Sequence, residues 1–89
     1  MREIPTLSGI EPRRERVALE ALRRRKAEGR EGLNLLSRRA RRVLEAMGIH
    51  DQQEARPITD FAFRRHRNSG PKTAAELMVW RVLDEFEGK

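Results

Sequence analysis

The chain has neither cysteine nor tyrosine. Without cysteine there can be no disulfide staple, no thiolate zinc centre and no cysteine nucleophile. Only two histidines occur, His50 and His66, too few to build a histidine zinc site by themselves. The aromatic residues are three phenylalanines and one tryptophan, which gives no stacking platform of the kind that holds single-stranded nucleic acid. No apolar run approaches the roughly 18 residues of a membrane span. The opening Met1-Arg2-Glu3-Ile4-Pro5 lacks the apolar stretch of a secretory signal, so a cytoplasmic protein is expected. Ser37 and Thr73 have no histidine and carboxylate constellation around them in the sequence, and no active site and no cofactor are expected.

What is abundant is positive charge. Among 89 residues, 20 lysines and arginines face 14 aspartates and glutamates, a net charge of +6. That excess points to a polyanionic partner, nucleic acid first and an acidic protein or membrane surface after it. Arginine outnumbers lysine 17 to 3, which fits either phosphate recognition by the planar guanidinium or a GC-rich genome. The field is uneven: residues 37–73 hold nine basic and four acidic side chains, whereas residues 74–89 hold two and four. A 37% apolar content is enough for one small core.

Pro5, Ser8, Gly9 and Pro12 break up the start of the chain, so residues 1–11 are expected to form a loose arm. Pro12, a favoured first helical residue, opens a strongly helical stretch with a narrow apolar stripe of Val17, Ala18, Ala21 and Leu22; Gly29 and Gly32 follow as a hinge. Residues 12–31 are therefore expected to form a basic amphipathic helix and hinge. Its stripe, with Val17, Ala21 and Leu22 as contacts, is expected to serve a partner and not the core, because so thin a face buries too little alone. A clearer helix follows: Ser37 can cap it, Leu36, Ala40, Val43, Leu44 and Met47 share one face, and Gly48 can end it in the left-handed conformation. Arg38 and Arg42 project away from that face, and Arg39 and Arg41 flank it.

Asp51 and Glu54 have capping-box spacing, and Thr59 or Asp60 can cap a short helix through Phe61, Ala62 and Phe63. Asn68-Ser69-Gly70-Pro71 then reads as a turn, with Pro71 starting a last helix to about Phe86. No alternating strand pattern occurs. The expected fold is all-α: residues 32–89 as a compact domain of four or five helices around Leu36, Val43, Leu44, Met47, Phe61, Phe63, Leu77, Trp80 and Leu83.

The stretch from Phe63 to Leu77, a short helix, the turn Arg67-Asn68-Ser69-Gly70-Pro71-Lys72-Thr73 and a second helix, resembles a helix-hairpin-helix. In such a unit a glycine lets the backbone approach a phosphate, free amides at the next helix start point at the anion, and a lysine adds charge. The alternative is that Gly70-Pro71 simply starts a helix. Taken together, Leu36-Ser37-Arg38-Arg39-Ala40-Arg41-Arg42-Val43-Leu44 and, further on, Gly70-Pro71-Lys72-Thr73-Ala74-Ala75-Glu76-Leu77 resemble the C-terminal domain of the bacterial RNA polymerase alpha subunit, over residues 33–83.

The resemblance implies non-enzymatic, transcription-related binding of double-stranded DNA through the minor groove and phosphates, and hence nucleoid association. It carries the family's groove-entering arginine onto Arg39, its turn glycine onto Gly70, its lysine onto Lys72, its hydroxyl onto Thr73 and its supporting glutamate onto Glu76. Arg38, Arg42 and Asn68 extend the expected DNA contact. Arg42 stands where the family has asparagine, Ser69 replaces an apolar turn residue, and Pro57 interrupts the region of a short family helix. Those departures support an alternative: a protein-interaction module, of a phage or accessory regulator, that imitates the family domain and binds RNA polymerase or its regulators.

Overall fold

The computed structural model describes residues 11–66 and 69–87, and every regular element among them is helical. The long helices are α1 (Pro12–Ala27), α2 (Arg38–Met47) and α5 (Pro71–Trp80), accompanied by the short α3 (Gln52–Ala55), α4 (Asp60–Arg64) and α6 (Leu83–Phe86). A 3-10 turn over Gly32–Leu35 links α1 to α2. The all-α expectation holds; residues 1–10 of the expected arm, together with Arg67 and Asn68 of the expected turn, lie outside the described residues.

Local chemistry explains most of the boundaries. Pro12 sits in the first turn of α1, where its missing amide costs nothing. The Ser37 hydroxyl accepts from the Ala40 amide at the start of α2, and Gly48 ends that helix at φ 75°, a conformation that side chains with a Cβ rarely adopt. Thr59, not Asp60, caps α4 by accepting from the Ala62 amide. The Asp51 carboxylate accepts from the Glu54 amide at 2.8 Å, while the Glu54 carboxylate reaches back past Asp51 to the His50 amide at 2.6 Å. The capping box is thus displaced by one residue.

The core is organised around α5. Thr73, Ala74, Ala75 and the run Leu77–Trp80 are all buried, so this helix presents apolar surface on several sides. Helices α1, α2 and α4 pack against it. Leu36, Val43 and Leu44 come from the α2 region and Phe63 from α4, all at most 1% exposed. The Trp80 indole donates to the Gly32 carbonyl at 3.2 Å, which ties the 3-10 turn to the end of α5.

The structure corrects three expectations. Leu22 of α1 is completely buried and Ala18 nearly so, and both join the same hydrophobic cluster as the rest of the chain. The stripe is thin, but α5 offers an apolar side to receive it, and polar ties reinforce the contact. Arg25 donates to the Leu35 carbonyl at 2.8 Å, Arg23 to the Phe86 carbonyl at 3.1 Å, and Lys26 to Glu87 at 2.7 Å. Leu22 therefore faces this chain's own core and is not open to a partner. Phe61 was expected in the core but is 70% exposed, its ring lying beneath the Arg65 guanidinium at 5.6 Å. Finally, the last helix does not run on to Phe86: it stops at Trp80, whose carbonyl accepts from the Gln52 side chain, and resumes as α6 at Leu83.

Candidate nucleic-acid interface

The two stretches that carry the resemblance meet at one carboxylate. Glu76, one turn beyond Lys72 on α5, accepts from the Ser37 amide at 2.7 Å and from the Ser37 hydroxyl at 2.9 Å. It also accepts from the Arg25 guanidinium at 2.9 Å. Its side chain is only 13% exposed. A charged acceptor with three donors in a partly dry setting makes strong hydrogen bonds. Glu76 therefore fastens the start of α2, and with it Arg38 and Arg39, to the part of α5 that begins with Lys72, and it binds the end of α1 to both.

Around that anchor the positive groups are free. Arg38, Arg39 and Arg42 are exposed and Arg41 is half-buried. None of the four pairs with a carboxylate among the described residues, and Arg41 keeps a buried Nε with no partner there. Lys72 is exposed and likewise unpaired. The first turns of α2 and α5 contain no acidic residue, unlike those of α1, α3 and α4. The start of α2 already holds the Glu76 carboxylate on the Ser37 amide, whereas the start of α5 keeps its partial positive charge uncompensated by side chains among the described residues, a favourable setting for phosphate.

Not every expected contact has this form. Thr73 is buried, only 7% exposed, so it presents little surface to a phosphate. Gly70 has φ −87° and ψ −178°, an extended conformation open to any residue, and nothing lies within 4 Å of where a Cβ would stand. The backbone at Gly70 therefore does not require glycine, and a close approach of phosphate is the remaining special use for one here. Asn68 lies outside the described residues. Val17 is half exposed and Ala21 partly so.

Nothing in the sequence singles out Arg25, one of several basic residues of α1. Its partners stand 10 and 51 residues away, and no periodicity or motif signals so distant a contact. Comparison of the chain with models of protein families, with curated proteins and with solved structures gave no match. Among the described residues no group of three histidine, aspartate or glutamate side chains could hold a metal ion, and no helix is long and apolar enough to cross a membrane.

Proposed function

We propose that this protein binds double-stranded DNA non-enzymatically, in transcription, through the starts of α2 and α5. The observation that carries the reading is the Glu76 anchor, which joins an arginine-bearing helix start to a lysine-bearing one with no acidic residue in either first turn. Duplex DNA presents phosphates at regular spacing on either side of a groove. Lys72 and the free amides of α5 engage phosphate, and Arg38 and Arg42 add charge beside it. Arg39 enters the minor groove, where narrow A/T-rich segments concentrate negative potential.

Anisotropy titrations of labelled A/T-rich and G/C-rich duplexes at several salt concentrations test this. Arg39→Ala is expected to cost about 1–3 kcal/mol on the A/T-rich duplex and less on the other. Lys72→Ala is expected to weaken both duplexes alike and to lower the salt slope by about one. Equal affinities for wild type and the double variant at every salt concentration would remove this face from consideration.

A further inference from the structure

Where α1 lies along α5 the two helices leave an open groove with a volume of about 370 Å³. Its floor is Val17, Ala18 and Ala21 of α1 with Ala75 of α5, and Val17 is 51% exposed. The groove follows α1 from Arg13 to Arg25, roughly 18 Å along the helix axis. An apolar trough of that length on the outside of a folded chain suits a second helix laid into it more than a small ligand enclosed on all sides.

The rim specifies the charge of that helix. Glu76 is already committed to Arg25 and Ser37, and Glu11 lies 3.8 Å from Arg14. Arg13 on one wall and Lys72 on the other have no carboxylate partner among the described residues. A second copy of this chain, itself at +6, would bring the same cations against them. Duplex DNA would find a floor with no charge. An amphipathic helix that is apolar on one side and acidic along its edges satisfies both floor and rim.

We propose that the groove between α1 and α5 is a docking site for an acidic amphipathic helix of a partner protein, held by Arg13 and Lys72 at its edges and covering Val17, Ala21 and Ala75. Apart from its use of Lys72, the site is independent of the DNA reading. The probe is a fluorescein-labelled peptide with leucines at helical spacing and aspartate and glutamate between them; its control has the same composition with the spacing scrambled. Saturable binding of the first peptide, with Val17→Glu and Arg13→Glu each weakening it about tenfold or more, is the expected result. Both side chains are exposed, so both variants keep the wild-type circular dichroism and melting temperature. Arg39→Ala, which tests DNA binding, leaves the peptide affinity unchanged.

No binding by wild type, equal binding of the scrambled peptide, or unaltered affinity in both groove variants would overturn the proposal. So would sedimentation showing a wild-type dimer that Val17→Glu dissociates, which would assign the groove to a second copy. Tighter peptide binding by Leu7→Asp would assign it to the chain's own first residues, and would overturn it equally.

Discussion

Replacing Glu76 tests whether one carboxylate holds the three long helices in register. Glu76→Ala removes the acceptor for the Ser37 amide, the Ser37 hydroxyl and the Arg25 guanidinium in a single step. An exposed ion pair contributes at most about 1 kcal/mol, whereas breaking a buried one costs about 3–5 kcal/mol. The Glu76 and Arg25 side chains are 13% and 24% exposed, which places this pair nearer the buried case. Arg25 keeps its bond to the Leu35 carbonyl, and the Ser37 hydroxyl still accepts from Ala40, so part of the loss is cushioned. The balance is about 3 kcal/mol, or a fall in melting temperature of about 12–24 °C for a chain of this size. Glu76→Gln, which keeps the shape and one acceptor, should lose about half as much. Thermal melts by circular dichroism measure both, and a double-mutant cycle with Ser37→Ala should give a coupling of about 1 kcal/mol or more. A melting temperature for Glu76→Ala within about 2 °C of wild type, or a coupling near zero, would refute the reasoning.

Leu22 is wholly buried, so Leu22→Ala should cost about 2–5 kcal/mol in urea unfolding, a loss that would not occur if α1 were merely appended to the domain. At Gly70 the backbone is extended and the Cβ position open, so Gly70→Ala should leave stability unchanged or raise it by up to about 1 kcal/mol, while weakening duplex binding if phosphate lies against that glycine. The Lys26 ammonium, hydrogen-bonded to the Glu87 carboxylate, holds that carboxyl below its usual range. A depressed carboxyl stabilises the fold above its unfolded value and loses that contribution as the pH falls through the folded one. The difference in melting temperature between wild type and Glu87→Gln should therefore be present at neutral pH and fade as the pH falls below the ordinary carboxylate range. Glu15, whose carboxyl burial pushes up, works in the opposite direction in wild type and variant alike and cancels from that difference.

The boundaries readable from the sequence were those set by nearby atoms. Ser37 bonds to an amide three residues on, Gly48 needs only its own backbone, and Thr59 caps its own helix. The apolar face of α2 was legible because ten residues are enough for helical spacing to repeat. Phe61 was misjudged because α4 has only five residues, too few for any face to be distinguished by period. The docking of α1 was hidden for a different reason. Its own stripe holds few apolar residues, and what receives it is the far side of α5, a helix apolar nearly all round whose pattern does not say which neighbour takes which side. Of the candidate site, the residue types at Arg38, Arg39, Lys72 and Glu76 were visible. The convergence of Ser37 and Arg25 on Glu76, which brings the two helix starts together, depends on contacts across 39 and 51 residues and needs the fold.

The pairing of α1 with α5 also bears on how fast this chain reaches its native state. Small helical proteins fold quickly when their contacts are local, because little chain entropy is lost before a contact forms. Here the helix nearest the start packs against one near the end, and the bonds that tie it to Glu76 of α5 and to Glu87 beyond α6 close loops of 51 and 61 residues. Closing such loops costs entropy that isolated turns of α1 or α2 offset poorly, since helices of 16 and 10 residues are marginal in water without tertiary packing. Stopped-flow refolding should accordingly be slower than its helical content alone suggests, with α1 gaining protection from hydrogen exchange only as α5 does.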